Sequence, residues 1–108
     1  MAREKFQTLT EQMFYILLCL RKECCGTDIM QQIKDMTLDR VTVGPGTLYH
    51  LLDSFLESGM IRETKVEGRR RSYILTQQGQ DTLDEEYRRL ETQAADYRAC
   101  FSQEVKCV

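Results

Sequence analysis

A chain of 108 residues with 42% hydrophobic and 30% charged residues and one proline has room for a single modest core, which excludes a large buried active site and a collagen-like or disordered chain. The formal charge of −2 and the pI near 5.4 argue, as totals, against a nucleic-acid binder. The charge is unevenly spread, however: Arg62 to Arg71 holds five basic residues against two acids, and Asp81 to Glu104 holds seven acids against three arginines, so one part can face phosphate while another cannot.

Taken in order, residues 1–7 are polar and predict a loose arm. Thr8 and Glu11 have capping-box spacing, and Thr10 is an equally good cap. Met13 to Leu20 is apolar on every side, so this first helix needs cover on more than one side, and another subunit is one source of it. Arg21 to Gly26 reads as a turn. Gly26 or Thr27 then opens a second helix whose Ile29, Met30, Ile33 and Met36 or Thr37 face inward. Leu38 to Val43 is a linker, with a short strand as one option.

The third helix has the clearest signals. Pro45 suits a first helical position, where a missing N–H costs nothing, and Gly44 lets the chain turn in. Leu48, Leu51, Leu52, Phe55 and Leu56 form an apolar stripe, opposite Thr47, Tyr49, His50, Asp53 and Ser54. Gly59 supplies a left-handed cap, with Met60 and Ile61 packing back on the last turn. Ile61 to Val66 and Arg70 to Leu75 predict a two-stranded wing turning at Glu67-Gly68 and carrying Lys65, Arg69, Arg70 and Arg71. Thr76 caps a final helix from Gln77 to about Gln103, which would be ~40 Å long. In it Leu83, Tyr87, Leu90, Ala94, Tyr97 and Phe101 alternate four and three residues apart, as in a coiled-coil seam.

Three helices followed by a basic hairpin predict a mainly α (α+β) winged helix-turn-helix, whose third helix enters a DNA major groove. Residues 1–76 form the DNA-binding domain and 77–108 a C-terminal dimerisation helix. Thr47 and Tyr49 are placed to meet a base edge or a phosphate, with His50 the last expected contact, because Asp53 and Glu57 beyond it repel the DNA backbone. Lys65 is expected to contact DNA from the wing, and Arg69, Arg70 and Arg71 to hold phosphates or enter the minor groove, setting position rather than reading sequence.

With those residues in view, the chain resembles the PadR family of transcriptional regulators, in the short form with a single C-terminal helix. The likeness runs from Leu9 to about Tyr97. It rests on Leu9-Thr10-Glu11 before Phe14-Tyr15-Ile16-Leu17, on Gly26 with Ile29-Met30, and on Val43-Gly44-Pro45-Gly46-Thr47-Leu48-Tyr49. Leu56 to Ile61, Arg70-Arg71-Ser72-Tyr73 and Leu75-Thr76-Gln77-Gln78-Gly79 extend it. The resemblance implies a homodimer that docks its last helix on the partner's first helix and represses genes from a palindromic operator on double-stranded DNA. It places base and phosphate contacts on Pro45, Gly46, Thr47 and Tyr49 and wing contacts on Arg69 to Arg71. The dimer interface expected from seam and first helix comprises Phe14, Leu17, Leu83, Tyr87, Leu90, Ala94, Tyr97 and Phe101. Two departures stand out. Cys25-Gly26-Thr27-Asp28 replaces the family's common His-Gly-Tyr-Glu, and there is no tryptophan to hold a small-molecule effector at the dimer interface, leaving Tyr97 or Phe101 for that task.

Five cysteines, an odd number, with no export signal predict reduced thiols, and adjacent Cys24 and Cys25 lack zinc-site spacing, so neither metal nor cofactor is expected. One histidine offers no nucleophile–base pairing, so the chain does not read as an enzyme. No apolar run approaches membrane-spanning length, and a cytoplasmic location without membrane contact is expected. The competing function is a protein-interaction adaptor that keeps the winged-helix shape without sequence-specific DNA binding.

Overall fold

In a computed structural model the backbone is described for residues 8–107 and the side chains for residues 8–102, so the arm expected at 1–7 lies outside the described residues. The elements in order are α1 (Glu11–Cys19), β1 (Cys24–Cys25), α2 (Gly26–Thr37), α3 (Pro45–Glu57), β2 (Ile61–Glu67), β3 (Arg70–Leu75) and α4 (Gln77–Cys107). The helices enclose one core, in which Ile16, Leu17, Leu20, Ile29, Ile33, Leu48, Leu52 and Phe55 are fully buried. Burial of side chains of this size contributes about 1.5–3 kcal/mol each.

Local chemistry explains the ends. Thr10, not Thr8, caps α1, accepting a hydrogen bond from the Met13 amide. Pro45 is the first residue of α3, and its last turn closes with the Gly59 amide on the Leu56 carbonyl and the Met60 amide on the Phe55 carbonyl. Gly59 has φ +78°, which only glycine adopts without strain, and Met60 is buried as that motif requires. The Thr76 hydroxyl accepts from the Gly79 amide and donates to the Gly59 carbonyl, fastening the start of α4 to the end of α3.

Several expectations need correcting. The segment read as a turn contains β1, which pairs antiparallel with β3, Cys24 opposite Tyr73 and Cys25 opposite Ser72. The wing is therefore part of a three-stranded sheet in the order β1-β3-β2 rather than a lone hairpin. Leu38 to Val43 forms no strand. It turns through Leu38 and Asp39 at φ 53° and 62°, with Val41 and Val43 buried and Leu38 exposed. Such left-handed conformations cost about 1–2 kcal/mol per non-glycine residue, and here surrounding bonds hold them. The Thr37 hydroxyl donates to the Ile33 carbonyl and accepts from the Val41 amide, which is why Thr37 is buried while Met36 faces solvent. The wing turns one residue later than expected, at Gly68-Arg69, and α4 runs on to Cys107 rather than ending near Gln103.

Leu83, assigned to the dimer seam from its spacing, and Leu17, assigned to the interface as part of the first helix, are 6% and 0% exposed and belong to the protomer's own core. Only the first part of α4 packs on that core. Thr82, Leu83 and Glu86 are buried, whereas every described residue from Glu91 to Ser102 is exposed. The rest of the stripe stands open, with Tyr87, Leu90, Tyr97 and Phe101 at 41–67% exposure and Tyr97 resting on Phe101 at 4.7 Å between ring centroids.

Candidate nucleic-acid interface

The basic hairpin, the start of α2 and the exposed side of α3 meet at one place. Because β1 hydrogen-bonds to β3, the chain enters α2 directly beside the wing, and the buried stripe of α3 fixes which side of that helix faces out. The three surround a cleft of about 270 Å³ lined by Cys25, Gly26, Thr27, Tyr49, Arg69, Arg70 and Arg71. Gly26 is the position that lets them approach: a Cβ there would lie 2.4 Å from the Tyr49 hydroxyl oxygen, so any larger residue would displace that ring.

The other residues singled out from the sequence are placed as follows. Pro45, Gly46, Thr47 and His50 are exposed on the first turns of α3, and Lys65 is exposed on β2, none of them lining the cleft. Asp53 is also exposed, one turn further along α3. Tyr49 is 42% exposed and does line it, together with all three arginines. The cleft also includes Cys25 and Thr27, which spacing did not pick out. Their signal lay in the start of α2, where backbone N–H groups without helical partners favour an anion.

The arginines are not equivalent. Arg70 Nη2 lies 3.7 Å from Asp28 Oδ2, and its Nε donates to Cys25 Sγ at 3.4 Å. Arg71 Nη1 is 3.5 Å from Glu63 Oε2. Arg69 sits on the turn and is exposed. These exposed pairs contribute little to stability. They orient two guanidinium groups while leaving the local balance positive.

Two neighbouring cysteines differ sharply here. At Cys25 burial acts upward on the pKa, but hydrogen bonds with Thr27 and Arg70 and from the Asp28 backbone outweigh it and hold the thiol below its ordinary value. The Cys24 thiol is instead pushed up to about 11, mainly by burial and further by the Asp28 charge. Among the described residues no cluster of three or more His, Cys, Asp or Glu side chains is arranged to hold a metal, and no helix is long and apolar enough to cross a membrane.

A second cleft, about 280 Å³, lies between α1 and α4, lined by Leu9, Thr10, Glu11, Phe14, Tyr15, Glu86, Arg89 and Leu90. Glu86 is 4% exposed, accepts from the Leu9 amide at 3.4 Å and pairs with Arg89.

A helical trio backed by a three-stranded sheet with a basic hairpin defines the winged helix-turn-helix class. Within that class the chain belongs to the transcriptional regulator PadR-like family, whose model matches residues 16–85. The family consists of transcription regulators, not enzymes. Among curated proteins no sequence matches the chain. Among solved structures it is similar to a PadR-like transcription factor from Bacteroides fragilis, 28% identical with a TM-score of 0.62, covering 84% of this chain and 86% of that one. A transcriptional regulator from Clostridium thermocellum superposes with a TM-score of 0.69 at 19% identity, over 82% of this chain and 90% of that one. RosR of H. salinarum does so with a TM-score of 0.63 at 24% identity, over 87% and 97%. The last two likenesses speak for the fold.

Proposed function

We propose that this PadR-like regulator is a dimeric, sequence-specific DNA-binding repressor that works in the cytoplasm. The observation carrying this reading is the convergence of the α2 N-terminus, Tyr49 and Arg69 to Arg71 on one cleft beside the exposed start of α3. A DNA phosphate in that cleft would meet helix amides, a phenol and guanidinium groups at once. With the backbone seated there, the first turns of α3 enter the major groove, where Thr47, Tyr49 and His50 reach base edges or flanking phosphates and Pro45 and Gly46 permit close approach. Lys65 and Arg69 add phosphate contacts from the wing.

The exposed stripe of Tyr87, Leu90, Ala94, Tyr97 and Phe101 supplies the dimer contact, with half-buried Phe14 on α1 of the other protomer. Leu17 and Leu83, buried in the protomer's own core, are left out of that contact. Two copies would present their α3 helices to half-sites ~34 Å apart, which calls for a palindromic operator. A small-molecule effector, if the protein has one, would enter the cleft between α1 and α4, beside the same seam.

Selection from a library of random duplexes tests the reading. The expected product is an inverted repeat with half-sites about one helical turn apart. Flow-through on a duplex column at low salt, with no enriched sequence, would instead support the adaptor, since an acidic protein with pI near 5.4 is retained on DNA only if a local basic face engages the phosphates.

A further inference from the structure

The linker that delivers the chain to α3 is held from the side by α1. Arg40, immediately after the left-handed pair Leu38-Asp39, donates through Nη1 to Glu11 Oε2 at 2.5 Å and through Nη2 to the Tyr15 hydroxyl at 2.9 Å. Its guanidinium carbon also lies 5.9 Å from the centre of the Tyr15 ring. Two residues on, the Thr42 carbonyl accepts from Gln12 Nε2 at 3.1 Å. Glu11, Gln12 and Tyr15 all belong to the first turns of α1, so one helix grips the linker at two points, three residues before Pro45 at the nearer one.

We infer that Arg40 is a positioning residue for DNA reading: tied to Glu11 and Tyr15, it sets the path of the linker and thereby the angle at which the first turn of α3 is presented. This rests on the DNA-binding reading above. The Arg40 and Glu11 side chains are 56% and 58% exposed, so the tie adds little to global stability. What it supplies is geometry. Bidentate donation to a carboxylate and a phenol on different turns of a helix needs the planar guanidinium fork, which lysine cannot reproduce. Because Glu11 and Tyr15 also line the cleft between α1 and α4, the tie joins that cleft to the reading helix.

The test compares Arg40→Ala, Arg40→Lys, Glu11→Ala and the Arg40→Ala/Glu11→Ala double variant in the full-length chain, using a duplex recovered by selection and an unrelated duplex. Removing Glu11, an acid, from a DNA-binding protein should by charge alone strengthen binding or leave it unchanged. If Glu11 acts through Arg40, each single variant loses about 10-fold in affinity for the selected duplex and keeps its affinity for the unrelated one. The double variant is then no weaker than Arg40→Ala, Arg40→Lys does not rescue, and the salt dependence of binding is unchanged. Amide hydrogen exchange of residues 40–46, measured without DNA, should quicken several-fold in all four while melting temperature stays nearly constant. A salt slope reduced by about one in Arg40→Ala, with rescue by lysine and tighter binding by Glu11→Ala, would make Arg40 a direct phosphate contact and overturn the inference. Unchanged exchange would overturn it as well. Failure of the parent reading shows separately, as wild-type protein that binds neither duplex, and the exchange measurement then decides whether the tie holds the linker.

Discussion

The arginine-lined cleft and the open stripe of α4 are both more than a single core requires, but they exceed it in opposite ways. At the cleft, polar groups arrive from three elements far apart in sequence. Arg70 bonds Cys25 on β1 and pairs with Asp28 on α2, and Arg71 faces Glu63 on the neighbouring strand. Along α4 the surplus comes from one helix repeating itself, and it is apolar: Tyr97 and Phe101 are 67% and 54% exposed with few neighbours but each other and solvent. A charged cleft loses little in water while it waits for a ligand, because its groups stay hydrated and partly paired. An exposed aromatic stripe leaves apolar area in water, roughly 25 cal/mol for each Å² that a partner would cover. The first surface is suited to a polyanion met reversibly, the second to a lasting partner.

Three experiments bear on that contrast. The largest effect should come from charging the stripe. Tyr97→Glu with Phe101→Glu should convert the proposed dimer to a monomer in sedimentation, and affinity for a selected inverted repeat should fall by about 100-fold or more if two half-sites can no longer be held together. Because residues 91–102 lie outside the protomer core, the melting transition of the monomer unit should remain; unchanged mass would remove the seam from the proposal.

Replacing Arg69, Arg70 and Arg71 with alanine should weaken binding to all duplexes by roughly 10- to 100-fold at moderate salt and lower the salt slope by up to about 2.7, with dimerisation untouched. Individually, Arg69→Ala should cost more than Arg71→Ala, since Arg71 must first leave Glu63. Equal losses would mean that those acid pairs do not survive contact with DNA.

The smallest expected effect is chemical. Under a limiting thiol alkylator at pH 8, Cys25 should be labelled ahead of Cys24 and Cys19 when sites are resolved by mass spectrometry. Only the thiolate reacts, and thiols pushed up to about 11 are ionised to about one part in a thousand at that pH, while Cys25 titrates below the ordinary 9.0. Raising the pH towards 11 should bring Cys19 and Cys24 up and narrow the difference. Bound duplex should slow Cys25 and leave exposed Cys100 unaffected, because only Cys25 lines the cleft.

Much of this was legible from residues close together in the chain. Pro45 starting α3, the left-handed Gly59 behind it, the Thr76 cap and the wing strands are local events, decided by one residue's torsions or one turn's unpaired amides. The side of α3 that turns outward was equally plain, because its apolar residues occupy one stripe. Where a segment is apolar all round, as in Met13 to Leu20, spacing is silent. Leu17 suits a seam as well as a core, and only packing shows that it is buried while Phe14 is half open. Leu83 fits the four–three repeat of α4 without break, yet it lies where that helix still rests on the domain.

The amino-acid sequence alone thus determined the order of the four helices and the two wing strands, the direction α3 faces and the basic character of the wing, since each follows from interactions spanning a few residues. Tertiary structure decided what those elements meet: that Cys24-Cys25 joins the sheet, that the α2 N-terminus completes the arginine cleft, that Arg40 reaches back to Glu11 and Tyr15, and where along α4 the core ends and the open stripe begins. The physical reason is separation along the chain. Arg40 and Glu11 are 29 residues apart and Arg70 and Cys25 are 45 apart, and such partners are chosen by how helices and strands pack, which no local pattern encodes.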